Sequence, residues 1–539
     1  MRTPMSQIPG AMPLVADYFE NFENVAEFFN GNFRDPKLFL ERTDEVKSRG
    51  LPIGQLVPIL KEQNQRFGCG FKTLENIDLL LERRACAVVT GQQAGLFSGP
   101  LFTIYKALTA IKLAARLSRT CEGCFVPIFW VAADDHDFRE VNHTKIVNKG
   151  NQVLELNYNA HPVDARVPVS AIRLSSGIMD VVKQLEDETH PSEFKETILN
   201  GLSEAYAPKR VFSEAFGTWL TQLFKAFGLV FIDASDPRIK ALGTPIFQKE
   251  ISEKSPSTER VLEISERLVQ KKYHGQVQLH RGLLNLFFIE NQRLAIEIQN
   301  GTFVVKGTNK SFQTSELLSL LKRKPHYFSP NVLLRPIFQD ALLPTVAYVA
   351  GTAEISYYAQ MKGIYEHFGL PMPIIYPRKS LTLLENKIEK VLDNYDLSVQ
   401  DFWGDVEILI NNIAKAQLPA SIEDKIGKAS ECIEKDLQSL EDEVNSFDST
   451  LKDTVEVVKG KINHQIDVLE KKILQAYKKR NEIVRSQIYK AKNNLYPNNH
   501  LQERELNVVP FLFKYGFGFI DRLYEALDIS NFEHQIFRL

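Results

Sequence analysis

Over the first 84 positions apolar residues recur at intervals of three and four, as in Leu14, Tyr18, Phe22, Val25 and Phe29, which predicts short helices that cap a core built later in the chain. The period changes at Ala85. Ala85–Thr90 is a compact apolar run of strand length, the polar and glycine-rich GQQAGLFSGP follows as a turn, and an amphipathic helix is expected from about Leu101 to Leu117. A second strand, Phe125–Val131, ends in the polar cluster Ala-Asp-Asp-His-Asp-Phe, and the spacing between the two suits a parallel crossover with both polar loops at strand C-termini. Further strands are expected at Gly228–Asp233, Pro344–Ala350 and Pro373–Pro377, the last followed by a helix beginning at Arg378-Lys-Ser-Leu-Thr with Ser380 as its cap.

Beyond about residue 385 glycine and proline thin out and Lys and Glu alternate with spaced aliphatics. Ile422, Ile426, Ala429, Ile433, Leu437, Leu440, Val444, Phe447 and Leu451 continue into Val455, Val458, Ile462, Ile466, Leu469 and Ile473, a stripe sustained long enough to predict a coiled coil. The stripe needs a covering helix, folded back within the chain or supplied by a second copy. The pattern divides the chain into an N-terminal helical segment (1–84), an α/β core (85–385) with insertions near 150–225 and 260–330, a helical coiled-coil arm (386–494) and an aromatic-rich tail (495–539) folding back on the core.

Composition narrows the function without choosing it. Hydrophobic residues make up 44% and charged residues 24% of 539, which excludes a disordered or collagen-like chain. A formal net charge of −2 gives no basic surplus, so nucleic acid is a poor candidate partner. No apolar run is long enough to span a bilayer and the N-terminus does not read as a secretory signal, so a cytoplasmic location is expected. Five scattered cysteines do not describe a disulfide framework, and Cys121-Glu-Gly-Cys124 lacks the second pair that zinc would require. The Lys471-Lys472 and Lys478-Lys479-Arg480 runs read as the wet face of the coiled coil.

Four blocks, TGQQAGLFSGPLFTIYKALTAI, VPIFWVAADDHDFREVNH, RPIFQDALLPTVAYVAGTAEISYYAQ and MPIIYPRKSLTLLE, resemble the BshC family of bacillithiol biosynthesis, and the resemblance runs from the N-terminal helices to the tail. It implies a Rossmann-like parallel-sheet core with connecting-peptide insertions, akin to nucleotidyltransferases and class I aminoacyl-tRNA synthetases, and a coiled-coil arm joining a homodimer. It also implies a ligase that adds L-cysteine to the amine of glucosaminyl-malate. Amide formation in water is uphill, so the carboxyl group needs activation, with ATP expected and adenylate and acyl phosphate both open. The sequence departs from the synthetases in one respect: their HIGH-type histidines are absent from the corresponding loop, which carries glutamines instead.

Within those blocks the residues suggest roles. Gly91, Gln92, Gln93 and Gly95 are expected to offer backbone N–H groups at a helix start to a carboxylate or phosphate, against the plainer reading that the glycines serve only the turn. Asp134, Asp135, His136 and Asp137 place three carboxylates and an imidazole at a strand end; crowding is expected to raise the carboxyl pKa values, with His136 as base. The oxygen donors would also suit Mg²⁺, though no metal ligand is assigned, and the plainer reading is a solvated acidic helix cap. Arg335, with Gln339 and Asp340, suits paired recognition of a carboxylate such as those of malate, against a structural salt bridge. Glu354, with Tyr357, could receive a substrate ammonium group, against a favourable charge in a first helical turn. Arg378, Lys379, Ser380 and Thr382 are the candidate nucleotide contacts. The competing functions are a coiled-coil scaffold that binds thiol precursors without turnover and a nucleotidyltransferase on another small molecule.

Overall fold

The computed structural model describes residues 2–82, 85–121, 123–159, 166–277, 279–417 and 421–539; side chains at 414–417, 421–423, 449, 452, 470 and 473–481 lie outside the described set, and with them Ile422, Ile473 and the Lys478–Arg480 run. Five strands form the central sheet: β1 (Ala85–Gln93), β2 (Cys124–Ala132), β3 (Val230–Asp233), β4 (Thr345–Ala350) and β5 (Ile374–Pro377). All pairings are parallel and the spatial order is β5-β4-β1-β2-β3. The chain therefore moves outward from β1 to one edge, then returns to the other side of β1, which places a topological switch point between β1 and β4. This is the expected α/β architecture. These strands are almost wholly buried apolar runs, as strands covered on both faces must be.

The helix Leu101–Thr120 departs from the amphipathic expectation, since thirteen of its residues are buried, Lys106 among them. It has no wet face along most of its length because the C-terminal segment covers what the sheet does not. Leu101 N–H donates to Leu506 C=O and Lys112 Nζ donates to the carbonyls of Tyr524 and Leu527. Helices Pro13–Glu20, Pro36–Lys47, Ile53–Arg66 and Phe71–Leu81 form the N-terminal cap. Between β2 and β3 lie an antiparallel hairpin (His143–Val147 with Val153–Asn157) and helices Gly177–Asp187, Lys195–Ala205 and Phe212–Phe224. Between β3 and β4 sits a five-stranded antiparallel sheet containing Leu283–Ile289, Arg293–Gln299, Thr302–Val305, Ser311–Phe312 and Phe328–Pro330.

The chain separates into two units: 1–383 with 500–537, and 384–499 with 538–539. The second unit is helical, with long helices Ser421–Phe447 and Lys452–Leu495 tied by Lys459 Nζ to Gln438 Oε1 at 2.7 Å. Their pairing supplies the folded-back cover, yet Leu440, Phe447, Val457 and Leu469 stay exposed. No helix among the described residues is long and apolar enough to cross a membrane.

One local expectation fails. Arg378–Ser380 is not a helix start; Leu381–Leu384 is a strand in a sheet whose order is Arg2–Thr3, His534–Arg538, Leu381–Leu384, and the next helix begins at Asn386. Ser380 caps nothing because its hydroxyl is engaged by the tail, donating to Glu503 Oε1 at 2.9 Å and lying 2.8 Å from His534 Nδ1. The signal of a small polar residue before an aliphatic run is shared by caps and strand entries, and only the distant partner chooses between them.

His534 is fully buried between the hydroxyls of Ser380 and Thr382, and burial pushes its imidazole down to about 4. In the unfolded chain histidine titrates near 6.5. Between those values the unfolded chain binds the additional proton, so the stability contributed by neutral His534 is complete above about pH 6.5 and falls as the pH drops towards 4, by on the order of 3 kcal/mol. His534→Gln is expected to flatten this limb, as measured by urea denaturation at a series of pH values; an unchanged slope would overturn the assignment.

Candidate functional site

A cavity of about 370 Å³ opens at the C-terminal ends of the central strands, with Gly91, Gln92 and Gln93 on one side and Gly351–Glu354 on the other. This is the switch point between β1 and β4, where open α/β sheets bind ligands. Its floor carries a buried lysine: Lys106 Nζ lies 2.5 Å from Glu354 Oε2, 2.9 Å from Gly91 O and 3.0 Å from Gln92 Oε1. Burial pushes the ammonium pKa down, and Glu354 opposes that shift. Glu354 also accepts from Gly351 N–H at 2.7 Å and Tyr348 Oη at 2.7 Å. Its helix-start role and its place in the pocket are thus both real.

Gly91, Gln92 and Gln93 do not form the expected turn. They are the last residues of β1, paired with Trp130, Val131 and Ala132 of β2, and the helix begins only at Leu101. The expected cradle of loop N–H groups at a helix start is therefore not formed by GQQAG. Gly91 is needed because a Cβ there would stand 2.8 Å from Trp130 O, and Gly95 because a Cβ would stand 3.0 Å from Gly99 Cα. Gly95 does not line the cavity, whereas Gln92 and Gln93 do, Gln93 donating to Asp135 Oδ2 at 2.9 Å.

The acidic cluster is split by the geometry. Asp134 and Asp135 line the cavity, each with its own cation: Asp134 Oδ1 lies 2.8 Å from Lys240 Nζ and Asp135 Oδ1 lies 3.1 Å from Arg293 Nη1. Burial works against ionisation of Asp135, but His136, Arg293 and Gln93 outweigh it and hold the carboxyl well below the usual range. The expected upward shift from crowded carboxylates is thus reversed at Asp135, because internal cations and donors separate the charges. His136 sits beside this pair, half-exposed, with Nδ1 3.2 Å from Arg293 Nη1. Asp137 turns away and caps the short turn Phe138–Glu140 through Arg139 N–H at 3.2 Å.

Arg335 lies on the helix Leu334–Leu342, donating to Gln339 Oε1 at 3.0 Å and Tyr357 Oη at 3.0 Å, and among the described residues no carboxylate pairs with it. The structural salt bridge is therefore not what holds it. Gln339 supports the guanidinium, whereas Asp340 lies behind the site, its carboxylate accepting from Tyr365 Oη at 2.5 Å. Arg378 reaches the cavity with Nη2 2.7 Å from Glu503 Oε1, and its buried Nε has no partner among the described residues. Lys379, Ser380 and Thr382 do not join it. Lys379 Nζ donates to the carbonyls of Asn531 and Glu533 at 2.7 and 2.8 Å, and Ser380 and Thr382 hold His534.

Four residues of the site carried no local signal strong enough to single them out. Lys106 stands as a charge among the apolar residues of the first half of its helix, the one mark that sequence offered. Arg293, Lys240 and Arg504 arrive from distant segments; Arg504 lines the cavity, exposed and without a carboxylate partner among the described residues. No group of three or more His, Cys, Asp or Glu side chains suited to a metal occurs among the described residues, and the described cysteines are free thiols.

The family model of the bacillithiol biosynthesis BshC N-terminal Rossmann-like domain matches residues 1–379, and that of the BshC C-terminal coiled-coil domain matches residues 381–539. The chain belongs to the BshC family. Relatives named "Putative cysteine ligase BshC" agree along almost the whole length. The protein of Salinibacter ruber is 37% identical, covering 99% of this chain and 98% of its own length. That of Chloroherpeton thalassium is 34% identical over 95% and 93%, and that of Desulforamulus reducens 31% identical over 98% and 97%. Membership supports a role in bacillithiol biosynthesis, and the relatives' name supports a ligase.

Arg293 joins the antiparallel insertion to the acidic loop. Its Nε donates to Ser329 Oγ at 3.0 Å and Nη2 to Pro330 O at 3.1 Å, while its Cζ stands 3.8 Å above the Phe287 ring. Arg293→Met leaves Asp135 without its guanidinium and is expected to cost about 2–3 kcal/mol, less than a fully buried pair because Asp135 keeps some solvent. Adding Asp135→Asn should recover part of the loss in urea denaturation; strictly additive losses would show that the two do not act as a pair.

Proposed function

We propose that this chain joins the carboxyl group of L-cysteine to the amine of glucosaminyl-malate, with ATP-dependent activation of the carboxyl. The observation that carries the reading is the division of charge in the switch-point cavity. Its carboxylates each have an internal cation, whereas Arg335 and Arg504 have no carboxylate of their own among the described residues. Such a cavity favours an anionic ligand, and the planar guanidinium of Arg335 matches a carboxylate of the malyl group.

The remaining roles follow from placement. Asp134 and Asp135, held by Lys240 and Arg293, line the same cavity and offer carboxylate oxygens that orient a substrate ammonium group. His136, which does not line the cavity itself but sits beside the lining Asp135, takes the proton the amine must lose before it attacks the activated carboxyl group. Asp135 is too weak a base for that step, its ionised form being held by Arg293 and His136. Gln92, fixed by Lys106, has its amide nitrogen available to the carbonyl oxygen as charge develops there.

The donor set fits a nucleotide's phosphates: Arg378 has a buried Nε without a partner and Arg504 is exposed at the same cavity. ATP, when bound, supplies the activation of the cysteine carboxyl, and these two arginines would hold its phosphates. The cavity carboxylates, committed to Lys106, Lys240 and Arg293, do not make a Mg²⁺ cage, so a divalent ion would enter with the phosphates. The exposed Leu440, Phe447, Val457 and Leu469 of the helical arm are read as the surface on which two copies of the chain pair.

Mass spectrometry of the protein incubated with glucosaminyl-malate, L-cysteine and ATP–Mg²⁺ is expected to give a product heavier by one cysteine residue, absent when any one is omitted. Binding of the sugar without product under any combination would instead favour the scaffold reading. In the same assay His136→Ala should lower kcat by roughly 10²–10⁴ with the fold intact, and near-normal turnover would remove it from the chemistry. Leu440→Glu with Leu469→Glu in the full chain should yield a monomer by light scattering; an unchanged dimer would move the pairing surface elsewhere.

A further inference from the structure

The helix that carries Arg335 is held at its start by a single residue. Asn331 Oδ1 accepts from the N–H groups of Leu333 and Leu334 at 3.0 and 3.1 Å, and Asn331 C=O accepts from Arg335 N–H at 2.9 Å. A helix start leaves its first N–H groups without partners within the helix, so Asn331 satisfies donors that nothing in the helix itself can. Asn331 is fixed from behind in turn. Its N–H donates to Asn285 C=O at 3.0 Å and its Nδ2 to Asn285 Oδ1 at 2.6 Å.

Behind Asn285 lies a buried acid. Asn285 Nδ2 stands 2.6 Å from Ser257 Oγ, 2.8 Å from Thr258 Oγ1, 3.0 Å from Ser255 Oγ and 3.2 Å from Glu250 Oε1. Glu250 is 0% exposed, accepts from Ser255 Oγ at 3.0 Å and Ser257 Oγ at 2.8 Å, and pairs with no Lys or Arg among the described residues. Burial pushes its carboxyl up from the ordinary range. The backbone is bent to bring the hydroxyls in: Lys254 and Ser255 both hold left-handed conformations, with φ of +57° and +69°.

A buried acid held only by hydroxyls and an amide is costly to build, and an apolar interior would satisfy packing at less cost. The described network leads towards the cavity by one route, from Asn285 to Asn331 to the helix start. At the far end of that route stands a guanidinium with no carboxylate partner among the described residues, held by Gln339 of its own helix and by Tyr357, so the placement of its helix governs where it points.

We infer that Glu250 is a positioning residue: through Asn285 and Asn331 it fixes the helix start that places Arg335 at the cavity, and so sets affinity for the anionic sugar substrate. This rests on Arg335 being the substrate's carboxylate anchor. The test compares Glu250→Gln, Ser257→Ala, Asn331→Ala and the Glu250→Gln/Asn331→Ala pair in the full chain, reading amide hydrogen exchange and steady-state kinetics. Exchange at Leu333, Leu334 and Arg335 should quicken about tenfold in Glu250→Gln and in Ser257→Ala, while the central strands stay protected. KM for glucosaminyl-malate should rise about three- to tenfold with kcat and the KM for cysteine little changed, and the double variant should match Asn331→Ala alone. Unchanged exchange at residues 333–335 in both Glu250→Gln and Ser257→Ala, or a double variant showing the product of the single effects, would overturn the inference. Failure of the ligase reading is seen separately, as absence of product from the unaltered protein, and the exchange measurement still decides the positioning route in that case.

Discussion

The structure turns on a charge that has nowhere to go. Lys106 lies in the interior of a helix packed against the parallel sheet, and an ammonium group in that position is tolerated only where its hydrogen bonds are met. The partners that meet them are Glu354, Gly91 C=O and the Gln92 side chain. They belong to the end of β1 and the helix after β4, the two sides of the switch point. Satisfying one lysine therefore fixes the relative placement of both walls of the cavity. It also assigns Glu354 a structural partner before any ligand arrives.

A second constraint comes from the C-terminal segment, which is built into the core instead of lying on it. Glu503 is buried and holds Arg378, Ser380 Oγ and Leu381 N–H; Asn507 Nδ2 donates to Phe97 C=O at 2.9 Å and Gly99 C=O at 2.8 Å. The turn between β1 and its helix passes through left-handed conformations at Phe97 and Ser98, φ +53° and +83°, which few side chains accept without outside support. Asn507 supplies that support from more than four hundred positions away. The same segment brings Arg504 to the cavity, so the tail helps to close the fold and furnishes one of the site's two arginines that lack an acidic partner.

Much of the fold was legible because the sheet's strands are continuous apolar runs bounded by polar turns, a pattern that parallel strands covered on both faces must show. The coiled-coil period was legible for the same reason, a stripe repeated over many turns. The site was legible only where chemistry clusters locally. Asp134 and Asp135 announce themselves at a strand end, but nothing near them in sequence reveals that Lys240 and Arg293 neutralise them, and crowding alone predicts the wrong direction for Asp135. Likewise Ser380 has the type and setting of a helix cap, and what makes it a strand entry is Glu503 and His534. Glycines at 91 and 95 suggested a phosphate turn, yet each is required by a neighbouring backbone that sequence spacing does not show.

These pairings bear on how the cavity treats its ligand. Among the described residues, of five cationic side chains around it, Lys106, Arg293 and Arg378 are matched by Glu354, Asp135 and Glu503, leaving Arg335 and Arg504 unmatched, while Asp134 is matched by Lys240. A matched carboxylate still presents lone pairs that can orient an ammonium group, but it adds little net field. An unmatched guanidinium adds both field and donors. The net attraction is therefore for anionic groups and comes from Arg335 and Arg504, whereas Asp134 and Asp135 offer an amine lone pairs with little net field. A ligand carrying both carboxylates and an amine would thus be held chiefly through its carboxylates, which leaves its amine for the matched aspartates to orient.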